Sequence, residues 1–374
     1  DGFSPNIKRA TGLVSAFMIL FCFVFYISSQ FQAAGNAFTS IFGMNSTQAI
    51  LLGAVIIVIY CLLGGFWAAS ITDAIQAMVM MLACIFVPIA AVIGNGGISN
   101  IAFGLNANVP ESYLSLTGGA AGFMGAGLAL GLLGTGLGAL GQPQLLNRIM
   151  AVKSPKARRQ GAAITIFWGA IVYAGLTVLA LSTRAWASTL AAPFDPSGEQ
   201  LFFEAAARYL PPVMAGIVIA AVLSAVMSTV DSLLLAAASA VSHDMGVTYA
   251  SPQKALLFGR LAMVAVALVA VVMTLYAPQT IFKRVLFSWV ALGAAFGPMV
   301  LTKCLGWRVK GGAVLAAILA GFFIAVAAYN GAKIEGLSSQ AVTMLGVTEK
   351  WLSWAAGLLI LYVGRERGAY AKRD

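Results

Sequence analysis

Apolar residues along this chain come in long unbroken blocks, each closed by a short polar stretch or one bearing glycine and proline. The blocks run to about twenty residues, the length at which an α-helix crosses roughly 30 Å of hydrocarbon. They do not alternate residue by residue, so helices rather than barrel strands satisfy the backbone inside a bilayer. Ten spanning segments are predicted, at residues 11–40, 47–68, 73–94, 121–147, 160–186, 211–242, 255–277, 283–304, 311–330 and 350–364. Two longer connections separate them. Residues 95–120 are rich in Gly, Asn and Ser; residues 187–210 carry Pro193, Pro196 and a stretch from Glu204 to Arg208 that suits a short surface helix. The pattern predicts one all-α transmembrane domain over residues 1–374.

Composition points the same way. Of 374 residues, 60% are hydrophobic and 9% charged, against about 25% charged in a soluble domain. The formal net charge is +10, but the basic residues sit between the apolar blocks and are not interleaved with aromatics. Nucleic-acid binding is therefore excluded and a lipid bilayer is the expected surroundings. With the first residues placed in the cytoplasm, sixteen Lys and Arg fall on the inner side and six, Arg184, Arg208, Lys283, Arg284, Lys333 and Lys350, on the outer side. The excess of basic residues on cytoplasmic loops predicts this orientation, with both ends of the chain inside.

Enzyme chemistry finds little to work with. Cys22, Cys61, Cys84 and Cys304 lie within or at the ends of apolar blocks, form no CxxC pair and read as packing residues. His243, the single histidine, borders Asp244 at the end of a block. Zinc sites built on histidine and Ser-His-Asp triads lack the histidines they need. No cofactor is expected.

Three segments carry unusual residues. Residues 121–143 hold eight glycines before Pro143. So much glycine makes an unwound stretch cheap, and a broken membrane helix exposes backbone groups to a ligand. Equally, Gly127/Gly131 and Gly134/Gly138 are small residues four apart, as in close helix packing. In the second segment, Ala225, Ser228 and Thr229 share one helical face at i, i+3 and i+4. A hard cation takes several oxygen ligands, and two hydroxyls with a backbone carbonyl supply part of such a shell. The hydroxyls can instead bond back to the preceding turn. Asp231 nearby is a carboxylate inside an apolar block, a costly placement associated with cavities, ion paths or partners. The third segment, Gly64 to Gln76, reads as a tight cytoplasmic turn in which Thr72 or Asp73 caps the next helix.

These segments, in this order, resemble the solute:sodium symporter family, especially its sodium/proline branch. The resemblance rests on the Gly64-Gly65 to Gln76 turn with Thr72-Asp73, and on Gly141-Gln142-Pro143 followed by the basic residues of 148–159. It rests also on Ser228-Thr229 with the Ser-rich run to Asp244, and on Ala294-Ala295-Phe296-Gly297-Pro298. It covers essentially the whole chain and implies a leucine-transporter-like, five-plus-five inverted-repeat fold with peripheral helices. The ten segments align with the last ten of thirteen helices in the proline branch. The first three, including a broken helix that completes the sodium site, are expected upstream. Sodium-driven uptake is therefore not expected of these residues alone.

The resemblance also implies roles. Ala225, through its carbonyl, and Ser228 and Thr229, through their hydroxyls, would form half of a Na+ site. Asp73 matches an aspartate near the cytoplasmic ion exit, and Asp231 is placed with it on the ion pathway. Tyr26 aligns with a tyrosine near the solute pocket, and Gln142 and Pro143 lie in the broken helix that lines it. Thr135 and Ala139 stand where proline carriers have large aromatics, which suggests a differently shaped solute. The implied function is Na+-coupled symport of a small organic solute, an amino acid or small carboxylate, by alternating access. The alternative is a transporter-like sensory membrane domain of a signalling protein. A membrane enzyme would need a carboxylate or histidine cluster that the sequence does not contain.

Overall fold

The computed structural model describes residues 3–187, 198–244, 251–277 and 279–370, with the backbone alone for 243–244 and 367–370. Pro193, Pro196, Lys372, Arg373 and the side chain of His243 lie outside the described residues. Among the described residues, ten helical runs are long and apolar enough to cross a membrane, in agreement with the ten predicted segments. They are α1 (Pro5–Phe42), α2 (Ser46–Leu63), α3 (Phe66–Gly94), a broken run made of α5 (Gly122–Thr135) and a 3₁₀ stretch (Gly136–Gly141), α7 (Pro155–Arg184), α9 (Pro212–Ser239), α10 (Pro252–Tyr276), α11 (Ile281–Cys304), α12 (Gly311–Gly331) and a last run of α13 (Ser339–Val347) with α14 (Ser353–Val363). Shorter helices lie between them: α4 (Ile98–Asn108), α6 (Pro143–Ala151) and α8 (Leu201–Tyr209). The last of these contains the predicted 204–208 surface stretch.

Helix starts follow local chemistry. Ser4, Ser154, Ser251 and Thr280 cap α1, α7, α10 and α11 by accepting a backbone N–H in the first turn. Proline follows the cap in the first three, where its missing N–H costs nothing. Gly43 ends α1 at φ 62°, a left-handed conformation that glycine adopts freely.

Packing ranks the helices. In the most apolar window of α11, 67% of residues are buried, against 11% in α7. The first is therefore central and the second peripheral. The main apolar cluster joins Phe23, Ile27 and Phe31 of α1 to Leu233 and Leu234 of α9, Leu292 of α11 and Ile318 of α12. Ile166, Phe167 and Tyr173 of α7 are 65–75% exposed, an apolar outer face suited to lipid and not to water.

Three predicted boundaries shift. The Gly64–Gln76 segment is not one turn: Gly64 and Gly65 alone reverse the chain, and α3 starts at Phe66. Thr72 and Asp73 are interior helical residues, not caps. The Thr72 hydroxyl is taken up by the carbonyls of Ala68 and Ala69 and by Tyr60 Oη at 2.6 Å. The 121–147 segment is broken at Gln142, whose extended backbone (φ −85°, ψ 110°) is the conformation that Pro143 imposes on its predecessor. The final span begins at Ser339 and carries a wide helical turn at Thr348–Leu352. Two of the six basic residues read as outer-loop residues are buried instead: Arg284 is 1% and Lys350 8% exposed. A short antiparallel pair, β1 (Trp307–Val309) and β2 (Arg365–Tyr370), had no sequence signal.

The glycine-rich run is tightly packed and stays helical, α to Thr135 and 3₁₀ to Gly141, and the backbone becomes extended only at Gln142. It crosses α11 where Gly138 meets Gly293 and Trp289, and where Gly141 meets the carbonyl of Leu292; a Cβ at either position would overlap these atoms. Gly127 faces Thr343 and Gly134 faces Lys350 and Trp351, whereas Gly131 has open space.

Candidate functional site

A cavity of about 340 Å³ lies between α3, α6, α9 and α11, with Tyr26 of α1 and Trp168 of α7 completing its wall. Its volume is within the range of small-molecule sites. From α9 it takes Ala225, Ser228, Thr229 and Ser232; from α3, Asp73, Gln76, Ala77 and Met80; from α6, Gln144 and Arg148; from α11, Trp289.

The helical spacing of α9 puts its oxygens on one face. Ser228 Oγ and Thr229 Oγ1 both donate to the Ala225 carbonyl, at 3.0 and 2.9 Å, and Ser232 Oγ donates to the Ser228 carbonyl at 2.8 Å. Ser228 and Thr229 thus bond back into the preceding turn, one of the two readings their spacing allowed, and their oxygens keep lone pairs to accept with. Hard cations take oxygen ligands of this kind.

The charged lining residues come from α3 and α6. Asp73 is 8% exposed and is paired with Arg148, which also donates to Ser232 Oγ at 2.6 Å. One guanidinium therefore ties α6, α3 and α9 together beside the Ser228-Thr229 face. Asp231, three residues beyond Ser228, is 1% exposed and sits beside Cys61, off the cavity wall.

The broken helix is held from behind. Gln142 is fully buried, and its Nε2 donates to the carbonyls of Gly138 and Trp289, both at 3.0 Å. Trp289 Nε1 donates to the Thr135 carbonyl at 3.0 Å. The Thr135 hydroxyl bonds back to Gly131, at 3.3 Å. Thr135, Ala139, Gln142 and Pro143 are not among the cavity-lining residues, whereas Tyr26, Asp73, Ala225, Ser228 and Thr229 are.

Gln76, Gln144, Arg148, Trp168 and Trp289 were not singled out from sequence as site residues. A helical signal existed for three of them. Asp73 and Gln76 are i and i+3, and Gln144 and Arg148 are i and i+4 in a short segment after a break, so each pair shares one face.

This architecture has relatives. The description "Sodium:solute symporter family" matches residues 6–327, and the chain belongs to that family. It is 32% identical over 321 residues to the sodium/proline symporter of Salmonella typhimurium, covering 84% of this chain and 63% of that protein. It is 32% identical over 331 residues to the osmoregulated proline transporter OpuE of Bacillus subtilis, covering 86% of this chain and 65% of the relative. The chain thus spans a little under two thirds of these relatives' length. Among solved structures, a Na+-coupled sialic acid symporter in a substrate-bound outward-open state superposes with a TM-score of 0.71 at 17% identity. The match covers 96% of this chain and 76% of that one. The shared fold is that of a multi-pass helical symporter.

Proposed function

We propose that the protein performs Na+-coupled symport of a small organic solute, an amino acid or small carboxylate, by alternating access. The observation that carries this reading is the cavity in which Ser228, Thr229 and Asp73 meet an organic-sized space walled by Trp168, Trp289 and Tyr26. The names of the curated relatives favour proline or a close analogue.

In this reading Na+ takes the lone pairs of Ser228 and Thr229 and the Ala225 carbonyl, and the solute occupies the adjoining cavity. Asp73 stands on the ion's path, with Asp231 behind it. Coupling requires that ion and solute stabilise each other's bound state, a reciprocal free energy of about 1–3 kcal/mol. A membrane potential adds about 2.3 kcal/mol per charge per 100 mV to the inward movement of Na+. The distribution of Lys and Arg supports cytoplasmic placement of both ends of the chain. The lining residues of α3 run from near its start to its middle and those of α9 from its middle toward its end, so the cavity would then open inward.

The test is uptake by proteoliposomes carrying the full-length gene product, with L-proline, other amino acids and small carboxylates. Each is driven by a sodium gradient, a proton gradient or none. Accumulation that requires the sodium gradient is the expected result. Accumulation driven by protons alone contradicts the coupling ion.

A further inference from the structure

A second cavity, of about 420 Å³, lies between α2, α9 and α10 and shares no lining residue with the first. It is built at helix ends: the last turn of α2, the Gly64-Gly65 turn into α3, the end of α9 out to Ser242, and the first half of α10. These ends lie on one side of the membrane, which is the cytoplasmic side in the orientation proposed above.

The polar part of its wall is small and basic. Arg260 is the one charged residue among the described lining residues. It is exposed, and no hydrogen bond or ion pair engages it among the described residues. A guanidinium left without a protein acceptor suits a phosphate, which it meets with a fork of N–H donors. Ser242 Oγ gives its proton to the Ala238 carbonyl at 2.7 Å, whereas the Ser239 hydroxyl has no partner among the described residues and is left to donate.

The rest of the wall is apolar, with Leu62, Leu235, Leu256 and Met263. Beside it Leu63, Trp67 and Leu257 are exposed, an apolar outer face that meets hydrocarbon, with a tryptophan where the aromatic belt of a membrane protein falls. A free anion would satisfy Arg260 and leave the apolar wall bare. A choline headgroup would bring a cation toward the guanidinium. A phospholipid of net negative charge matches both parts of the wall, and basic residues at the cytoplasmic ends of membrane helices attract such lipids.

We propose that this cavity is a binding site for an anionic phospholipid, with Arg260 and Ser239 donating to the phosphate and the apolar wall taking the first methylenes of the chains. The site rests on the placement of the chain in a membrane and not on the symport reading.

The test is native mass spectrometry of the full-length protein in detergent, titrated with dioleoyl phosphatidylglycerol or dioleoyl phosphatidylcholine. Wild type should bind its first phosphatidylglycerol about fivefold more tightly than its first phosphatidylcholine. Arg260→Gln should erase that preference, and Arg260→Lys should keep most of it. Ala255→Phe, which fills the cavity and leaves the charge in place, should weaken the first phosphatidylglycerol by a similar factor. Lys156→Gln, which removes an exposed cation of α7 outside the cavity, should change neither affinity by more than twofold. The proposal is overturned by equal affinity of wild type for the two lipids, by a preference that survives Arg260→Gln or Ala255→Phe, or by a loss as large in Lys156→Gln. Displacement of the lipid by inorganic phosphate would overturn it too, since the site would then serve a free anion.

Discussion

Gln142 and Trp289 hold the broken helix to α11 by reciprocal bonds. The glutamine amide donates to the tryptophan carbonyl, and the indole donates to the carbonyl of Thr135 at the end of α5, both at 3.0 Å. Unwinding a membrane helix strands backbone carbonyls where no water can serve them, and here two side chains serve them. Trp289→Phe keeps the aromatic bulk and removes one donor. It should lower stability by about 1–3 kcal/mol, read as a lower thermal unfolding midpoint in nanodiscs. An unchanged midpoint would mean that the Thr135 carbonyl finds another partner.

Gly138 and Gly293 permit this clamp to close. A Cβ on Gly293 would overlap the Gly138 backbone, and one on Gly138 would overlap Trp289. Gly293→Ala should therefore force the two segments apart, destabilising by about 1–3 kcal/mol. Gly131→Ala, where a Cβ meets nothing, should be neutral or mildly stabilising. Parallel thermal melts of the two variants make the comparison, and equal midpoints would contradict the contact.

Arg148 bridges Asp73 and Ser232, so it joins α6, α3 and α9 at the cavity wall. Its side chain is 37% exposed, which moderates the strength of the pair. A double-mutant cycle of Arg148→Gln and Asp73→Asn should give a coupling of about 1 kcal/mol. Each single variant should label faster than wild type at a cysteine introduced for Met80 on the cavity wall. Additive stabilities together with unchanged labelling would remove the bridge from the account.

The spans were legible because each helix must be apolar over its full membrane length, whichever way it faces. What faces what was much less legible. Arg148 looked like one of several loop cations, and only the folded chain sets it against Asp73, 75 positions earlier in sequence. Arg284 and Lys350 counted as outer-loop charges because a burial made by distant helices leaves no local trace. The glycine run supported both an unwound and a close-packed reading; it packs closely and stays helical, and the break falls just after it, at Gln142. Its break was marked by Pro143, but the partners of the break, Trp289 and Leu292, lie on α11. The Ser228-Thr229 face was readable because its geometry is a local helical period.

The most direct test of the central claim is the sodium activation curve of uptake in proteoliposomes of the full-length protein, compared with Ser228→Ala and Thr229→Ala. The account predicts that each variant raises the sodium concentration for half-maximal uptake by about tenfold, equivalent to about 1.4 kcal/mol, with smaller changes at saturating sodium. Activation curves that coincide with wild type in both variants would contradict it, and would place the coupling ion elsewhere in the molecule.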